Sequence, residues 1–448
     1  MKRVAIVGAD FAPSSLPPAL RIRFFASHLA EFGWQPTVIT TDPAYYQTAL
    51  DAEMARLVPE SVEVIRTPAL PRRVTRLFGV GDLGMRSMWH HWRALKQLCA
   101  EGRVDLVFIP VPPYAPMVLG RLLHDRFGIP YVIDYIDPWA SEYYWKLPRS
   151  RRPPKWALAY TLARLLEPFA VRHAAHIVGV SKGTTDSIRA RYPRLSEDDV
   201  TEIPYGGETA DWEYIRQHPR PNMVFEAADG RLHVCSVGAY TEAMRPVLAA
   251  LFRAVYLGVS RAPEVFRRLR LHFVGTSYAG GSRALPVSEI AREEGVADLV
   301  EEQPRRVPYL DALQLLADAH GLLVVGSEEP HYTASKIFPY ILAKKPLLVI
   351  FHSQSSVVPI MEQTRAGSMV TFDAAAPAPT KVQEISRQLE AMLRLPAGHE
   401  PPTDWEAFEA YTTKQMAARL ADVFAGALAK SAAPQWERAP GKTRTVKA

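Results

Sequence analysis

Cysteine is almost absent from this chain. The 448 residues contain only Cys99 and Cys235, which lie in different halves of the sequence. Two distant cysteines cannot build a disulfide framework or a zinc-binding spacing, and this scarcity favours a reducing compartment. No uninterrupted apolar run reaches the roughly 18 residues that a membrane span needs. The apolar run after Met1 is short and has no cleavage site, so we interpret it as a buried strand rather than a signal peptide.

The fingerprint of a dinucleotide-dependent dehydrogenase is also missing. No G-x-G-x-x-G pattern follows the first predicted strand, which argues against a Rossmann dehydrogenase. The overall composition, 48% hydrophobic and 22% charged, is ordinary for a soluble globular protein. Because domains usually contain about 100–200 residues, the length indicates two domains.

Positive charge is concentrated in the first half of the chain. Residues 1–205 carry 26 Lys and Arg against 20 Asp and Glu, whereas residues 206–448 carry 27 of each. One basic cluster lies at residues 72–76 and another at 146–155, where tyrosines and tryptophans are interleaved. Such clusters suit an anionic membrane surface or an anionic substrate, and the alternative is a solvated loop. No nucleic-acid-binding motif accompanies the charge, so we expect no nucleic acid partner.

Short apolar runs alternate with amphipathic segments along most of the chain. Apolar strands separated by helices indicate parallel sheets, so we predict an α/β protein of two doubly wound Rossmann-like domains facing a cleft. A ligand is then expected at the carboxyl ends of the strands. The predicted strands span residues 4–8, 37–41, 62–66, 106–111, 131–135, 177–180, 232–237, 269–274, 299–301, 321–325, 347–350 and 368–372.

The domain boundary is predicted where this rhythm breaks. An IPYGG segment is followed by a polar stretch, which is typical of a linker. The predicted organisation is an N-terminal domain (1–205), a linker (206–230), a C-terminal domain (231–402), a single C-terminal helix (403–428) and a disordered basic tail (429–448).

The most informative segment is residues 334–350, in which Lys336 opens an otherwise apolar predicted helix. A lysine at a helix start stands beside backbone N–H groups that have no helical partner, an arrangement that suits a phosphate or diphosphate. The alternative is a surface lysine that merely begins a helix. Pro339 is expected to kink or shorten the helix.

Several segments, in this order and spacing, resemble glycosyltransferase family 4, whose members have the two-Rossmann-domain GT-B architecture. The resemblance covers residues 1–428 and points to the bacterial polysaccharide-assembly enzymes. The segments that carry it are LAEFGWQPTVIT (29–40), GIPYVIDYIDPW (128–139), VGVSKG (178–183), IPYGG (203–207), VGAY (237–240) followed by Arg245-Pro246, and SKIFPYILAKKP (335–346).

By this resemblance the C-terminal domain binds a nucleotide-sugar donor. Lys336 would contact the diphosphate and act as a catalytic residue, with Ser335 beside it, because charge-assisted contacts stabilise a leaving diphosphate. Arg245 is a second phosphate candidate, or else a surface arginine at a helix start. The remaining donor-binding candidates are Tyr240, Glu328 and Glu329, of which the two glutamates are alternatively a solvated pair.

The N-terminal domain would bind the acceptor. Asp137 follows a predicted buried strand and is the second catalytic candidate, because a carboxylate there could bind the acceptor or stabilise an oxocarbenium-like transition state. Its alternative role is a turn cap beside Pro138. The acceptor or loop candidates are Ser14, Ser15, Arg21 and Tyr205.

The chain departs from the family pattern in two places. The first loop, residues 13–18 (PSSLPP), has no glycine, and its prolines cannot donate an N–H group to a phosphate. Many family members carry two glutamates eight residues apart, and the corresponding positions here are His331 and Pro339. Pro339 has no side-chain group for a ribose hydroxyl, which indicates an altered or weakened site.

The resemblance implies a retaining, metal-independent glycosyltransferase that uses no cofactor and moves a sugar from a nucleotide-sugar to a lipid-linked or polysaccharide acceptor. We expect a cytoplasmic protein in peripheral contact with the inner face of the membrane. One alternative is a catalytically silent GT-B partner subunit, for which Pro339 and the glycine-free loop argue. A nucleotide-sugar epimerase ranks lower, because no clear acid/base pair is visible.

Overall fold

A computed structural model describes residues 1–47, 50–140, 145, 152, 156–277, 286–330 and 335–432. The chain divides into two compact units. The N-terminal unit contains Met1–Pro204 and the chain from Ala417 onward, and the C-terminal unit contains Tyr205–Met416.

The N-terminal unit is built on a seven-stranded parallel sheet of order β3-β2-β1-β4-β5-β6-β7. Its central strands are buried on both faces, as expected when helices cover a parallel sheet on both sides. The strands are β1 (Lys2–Val7), β2 (Trp34–Thr41), β3 (Glu63–Thr67), β4 (Leu106–Val111), β5 (Tyr131–Tyr135), β6 (His176–Gly179) and β7 (Val200–Glu202).

Helices connect these strands. The first begins at two prolines, which suit the first turn of a helix because its N–H groups have no partner there. The helices are α1 (Pro17–His28), α2 (Arg72–Thr75), α3 (Leu83–Ala100), α4 (Met117–Phe127), α5 (Trp156–Val171) and α6 (Lys182–Arg191), with short 3₁₀ turns at Leu29–Phe32, Pro43–Tyr45, Ala52–Leu57, Arg76–Phe78 and Glu197–Asp199.

The C-terminal unit repeats the plan with a six-stranded parallel sheet of order β10-β9-β8-β11-β12-β13. The α/β class and the two Rossmann-like sheets are therefore confirmed. The strands are β8 (Leu232–Val237), β9 (Leu269–Val274), β10 (Val300–Gln303), β11 (Gly321–Val325), β12 (Leu347–His352) and β13 (Ser368–Phe372).

One helix of the C-terminal unit is unusually apolar. The stretch Glu242–Arg261 is long and apolar enough to cross a membrane, but half of it is buried inside the protein, as is usual for a core helix. The helices of this unit are α7 (Thr209–Gln217), α8 (Arg245–Arg261), α9 (Pro263–Phe266), α10 (Val287–Glu293), α11 (Tyr309–Asp318), α12 (Ile337–Leu342), α13 (Val357–Thr364), α14 (Val382–Leu393) and α15 (Trp405–Glu409), with 3₁₀ turns at Glu242–Met244, Ala297–Leu299 and Ala378–Lys381.

The C-terminal region differs from the expected single helix over 403–428. The structure has two helices there, α15 and α16 (Thr413–Ala432), and residues 433–448 of the predicted tail lie outside the described residues. From Ala417 onward α16 belongs to the N-terminal unit, where Phe424 packs against Trp34 and Phe108. Likewise, the predicted linker at 206–230 contains helix α7.

Candidate functional site

The C-terminal sheet has one topological switch point, between β8 and β11. Strand order runs one way from β8 to β10 and the other way from β11 to β13. In open parallel sheets the crevice outside the carboxyl ends of two such strands is where ligands bind. Gly238 directly follows β8, and Gly326 and Ser327 directly follow β11. The loops after these two strands therefore define the region in which a ligand is expected.

Lys336 reaches the loop after β8. Its Nζ atom is buried, although the residue as a whole is only half-buried, and the amine lies 5.0 Å from the centroid of the Tyr240 ring. The amine also lies against Gly238, since a Cβ at this glycine would stand 3.2 Å from Nζ. Gly238 has a φ of +134°, which L side chains rarely adopt. A glycine at this position thus allows both the backbone turn and the close approach of the amine.

The amine of Lys336 is electrostatically unsatisfied. Among the described residues, Nζ has no hydrogen-bond partner. Burial lowers the pKa of Lys336 to about 8, because removing an ammonium from water disfavours its charged form. An isolated buried charge is costly unless an opposite charge or a hydrogen-bond acceptor compensates it. An anion bound beside Nζ would supply both.

Tyr240 supports this amine with its ring rather than with its hydroxyl group. The hydroxyl is hydrogen-bonded to Ser236 Oγ at 2.5 Å inside the core, and the ring packs edge-to-face against Phe273. A cation over an aromatic face is attracted by the ring quadrupole, by about 0.5–2 kcal/mol. Tyr240 was expected to bind the donor, and in this structure its polar group is already used within the core.

Helix α12 also contacts the last residue of β8 through hydrogen bonds. The hydroxyl of Tyr340 accepts a hydrogen bond from Val237 N at 2.5 Å and donates to Val237 O at 3.2 Å. Tyr340 is buried and lies four residues after Lys336 in sequence. Sequence reasoning did not identify this residue, because a tyrosine in an apolar helix is typical of a core position. The contact fixes α12 to the strand on whose loop the lysine amine rests.

The helix after Lys336 is short. It has six residues, Ile337–Leu342, and Lys336 immediately precedes it without a side-chain cap. Pro339 is its third residue, and the helix continues for three residues beyond it. So short a helix does not support an anion site at its N-terminus, and the positive charge comes from Lys336 itself. Ser335 lies in the preceding turn, and His331 lies outside the described residues.

Arg245 is placed differently from the expected phosphate contact. It begins helix α8 and is paired with two carboxylates, Glu242 at 3.1 Å and Glu293 at 3.2 Å. This is the surface role that the sequence left open as the alternative. Glu328 and Glu329 are both exposed in the loop after β11. The backbone N–H of Glu328 donates to Ala243 O, which ties this loop to the loop after β8.

In the N-terminal unit, the first loop uses its polar groups internally. Ser14 is buried and donates to Asp10 Oδ2 at 2.8 Å, while Ser15 is half-buried. Burial raises the pKa of Asp10. Two prolines of this loop, Pro17 and Pro18, form the first turn of helix α1.

Arg21, an acceptor or loop candidate from the sequence, has its guanidinium engaged inside the N-terminal unit. Its guanidinium is buried and forms a two-pronged ion pair with Asp134, with Nε–Oδ2 at 2.6 Å and Nη2–Oδ1 at 2.9 Å. It also donates to the carbonyls of Ile203 and Pro204, at 2.7 and 3.0 Å. Arg21 thus joins α1 to β5 and to the segment Ile203–Pro204 that follows β7. Sequence reasoning missed Asp134, and the available signal was a carboxylate inside an apolar strand.

Asp137 lies two residues beyond β5, at the carboxyl end of the sheet as expected. The residue is exposed, yet the surrounding protein still raises the pKa of its carboxyl group through desolvation. The two residues after Asp137 are held in place by Tyr114. Its hydroxyl donates to Pro138 O at 3.3 Å, and its ring stacks on Trp139 with ring centroids 5.3 Å apart. Tyr205 is half-buried and is the first residue of the C-terminal unit.

Comparisons with known proteins agree with this architecture. Residues 18–206 match a family model described as a glycosyl transferase 4-like domain. No curated protein matches the chain in sequence.

Solved structures resemble the chain over almost its whole length. A UDP-forming α,α-trehalose-phosphate synthase from Burkholderia vietnamiensis has 14% identity and a TM-score of 0.59, covering 96% of this chain and 100% of its own. Sucrose-phosphate synthase from Thermosynechococcus elongatus has 16% identity and a TM-score of 0.56, with 96% and 100% covered. WaaG, a glycosyltransferase involved in lipopolysaccharide biosynthesis, has 13% identity and a TM-score of 0.50, with 96% and 98% covered. At these identities the likeness shows the fold.

Proposed function

We propose that this GT-B protein, whose residues 18–206 match a family model described as a glycosyl transferase 4-like domain, transfers a sugar from a nucleotide-sugar donor to a lipid-linked or polysaccharide acceptor. The transfer is expected to retain the anomeric configuration and to need neither a metal ion nor a cofactor. The observation that carries the proposal is the buried, unsatisfied amine of Lys336 at the switch point of the C-terminal sheet, which has no hydrogen-bond partner among the residues that the structure describes.

The role of Lys336 follows from its electrostatics. A nucleoside diphosphate bound beside the loop after β8 would give the buried ammonium the negative charge it lacks. Negative charge grows on the diphosphate as the bond to the sugar breaks, so a fixed cation there stabilises the transition state more than the ground state. A lysine in this position performs the charge neutralisation for which other enzymes use a divalent cation.

Asp137 is the candidate group on the acceptor side. Its position at the carboxyl end of β5 and its raised pKa suit a carboxylate that accepts a hydrogen bond from an acceptor hydroxyl. Ser15 and Tyr205 remain candidates for acceptor contact. Arg21 and Ser14 are assigned structural roles instead, because their polar groups bind other protein groups.

The acceptor and the cellular site are proposed from one structural neighbour and from the charge distribution. WaaG, which shares the fold, is involved in lipopolysaccharide biosynthesis. The excess of positive charge in residues 1–205 supports a cytoplasmic protein that touches the anionic inner face of a membrane. A lipid-linked or polysaccharide acceptor fits both observations.

A catalytically silent partner subunit is the second candidate, and Pro339 favours it. The family position that carries a glutamate is here a proline inside α12, with no side-chain group for a ribose hydroxyl. Such a subunit would bind a nucleotide-sugar without consuming it.

Donor consumption separates the two candidates. Purified protein would be incubated with UDP-, GDP-, ADP-, TDP- and CDP-sugars, with and without EDTA, and the slow hydrolysis in which water takes the sugar and nucleoside diphosphate is released would be measured. We expect release from donors of one base, unchanged by EDTA and lost in Lys336→Met. The control Lys381→Met, at a lysine paired with Glu384 on the same unit, should behave as wild type. Binding without release would favour the silent subunit, and release that stops with EDTA would contradict metal independence.

A further inference from the structure

Helix α5 exposes a stripe of large apolar side chains on its outer face. Leu158, Leu162, Leu165 and Phe169 follow the spacing i, i+4, i+7 and i+11, so they lie on one face. Three of these side chains point into solvent: Leu158 is 58% exposed, Leu165 66% and Phe169 37%. Surface helices of soluble proteins normally turn such a stripe toward the core. We refer to these four residues as the outer stripe.

The inward side of the same helix carries its only carboxylate. Glu167 is completely buried, where it accepts hydrogen bonds from Ala140 N and Arg191 Nη2, each at 3.3 Å. Ala163 and Ala170, which are also buried, fill the rest of this side. The protein therefore hides the one negative charge of the helix and leaves leucine and phenylalanine outside.

The sequence around the outer stripe is rich in positive charge. Residues 143–172 contain seven Lys and Arg and only one acidic residue, the buried Glu167. Arg164 and Arg172 are exposed on the helix and just after it. Arg152 lies over the rings of Trp145 and Trp156, at 5.6 and 4.9 Å from their centroids. Tryptophan, leucine and arginine side by side are the composition of a helix that lies in a membrane interface.

We infer that the outer stripe, with Arg152, Arg164 and Arg172 around it, is the surface by which this protein rests on an anionic membrane. The inference specifies the surface behind the peripheral membrane contact in the proposed function and rests on that proposal. Leucine and phenylalanine enter the acyl boundary while arginines reach the anionic headgroups. A second copy of the chain fits less well, because two such faces would bring like charges together.

Vesicle binding of the full chain tests the inference. Co-sedimentation would compare vesicles of phosphatidylcholine alone with vesicles that also contain phosphatidylglycerol. We expect binding to the anionic vesicles only, weakened by added salt. The triple variant Leu158→Gln, Leu165→Gln and Phe169→Gln should bind at least about tenfold more weakly, because it removes the inserted apolar area. Glutamine is a good helix former, so the helix is preserved, which circular dichroism and the melting temperature would check.

The matched control is Leu77→Gln, at an 83% exposed leucine of the same unit beside a different arginine cluster. It should bind vesicles as wild type does. Wild-type binding by the triple variant, loss of binding in Leu77→Gln alone, or absence of binding by the wild type would each overturn the inference. A concentration-dependent dimer that the triple variant abolishes, with no vesicle binding, would do the same by assigning the stripe to self-association.

Nucleotide binding in the absence of vesicles distinguishes this inference from the proposed function. A protein that binds anionic vesicles through the outer stripe but no nucleoside diphosphate would leave the surface assignment standing and remove the transferase proposal. A protein that binds a nucleoside diphosphate but does not bind anionic vesicles through the outer stripe would contradict only the assignment of the membrane-binding surface.

Discussion

Each of the two units buries the charged group of a long basic side chain. The two groups differ in whether the surrounding protein supplies hydrogen-bond acceptors for them. In the N-terminal unit Arg21 is matched by the carboxylate of Asp134 and two backbone carbonyls. In the C-terminal unit the amine of Lys336 has only a tyrosine ring beneath it and no hydrogen-bond partner among the described residues. A buried charge that is fully matched holds a fold together, whereas one left unmatched at a switch point is prepared for a ligand.

The largest expected effect comes from breaking the matched pair. Asp134→Ala leaves the Arg21 guanidinium buried without its carboxylate, which should lower the free energy of unfolding by about 3–5 kcal/mol. Chemical denaturation would measure it. The control is Asp186→Ala, which breaks the exposed pair with Lys182 and should lose no more than about 1 kcal/mol. Equal losses in the two variants would contradict a structural role for the buried pair.

Removing the unmatched charge should affect binding rather than stability. Lys336→Met takes away a desolvated ammonium, so we expect unchanged or slightly raised stability at pH 7. Affinity for the nucleoside diphosphate should fall by roughly 1.5–3 kcal/mol, the usual range for a hydrogen bond to a charged group. Calorimetric titration and thermal unfolding of the same samples give both quantities. A large loss of stability with unchanged affinity would mean that Lys336 stabilises the folded protein and does not bind the diphosphate.

Gly238→Ala tests the close approach that places the amine. The new Cβ would stand 3.2 Å from Nζ, and alanine is strained at a φ of +134°. We expect stability to fall by about 1 kcal/mol or more and diphosphate affinity to fall as the amine is displaced. In a Lys336→Met background the same substitution should still lower stability but should no longer change affinity. An affinity loss of equal size in both backgrounds would mean that the glycine acts independently of the lysine.

The smallest predicted effect is a pH dependence. Because burial lowers the pKa of Lys336 to about 8 and a bound anion favours the charged form, diphosphate affinity should be constant from about pH 7, where the ligand is fully ionised, to pH 8. Above it, affinity should fall by up to roughly tenfold per pH unit. Lys336→Arg keeps its charge at these pH values and should bind with little pH dependence. A slope that persists in Lys336→Arg would assign the titration to another group.

Most of the fold could be predicted from the sequence because buried parallel strands are continuous apolar runs. Strands β4, β5, β8, β9, β11 and β13 have the predicted bounds. Strand β7 was missed, since its three residues are only half-buried at the edge of the sheet. Helix α6 was also missed, because its first turn contains glycine and two threonines, which are poor helix formers.

The candidate site was harder to predict because it depends on pairing across long sequence distances. The sequence indicates that Arg21 and Lys336 are basic residues near helix starts, and nothing local distinguishes them. Arg21 finds its carboxylate 113 positions later, in a strand whose other residues are typical of an apolar core. Which basic residue is matched and which is not becomes visible only when β5, β8 and their loops are assembled.

The role of Lys336 in binding a diphosphate is tested most directly by a thermal-shift comparison of wild type, Lys336→Met and Lys336→Arg against UDP, GDP, ADP, TDP and CDP, with and without EDTA. We expect a stabilising shift for diphosphates of one base in the wild type, unaffected by EDTA, lost in Lys336→Met and largely retained in Lys336→Arg. An equal shift in wild type and Lys336→Met would contradict it, because the buried amine would then have no part in holding the diphosphate.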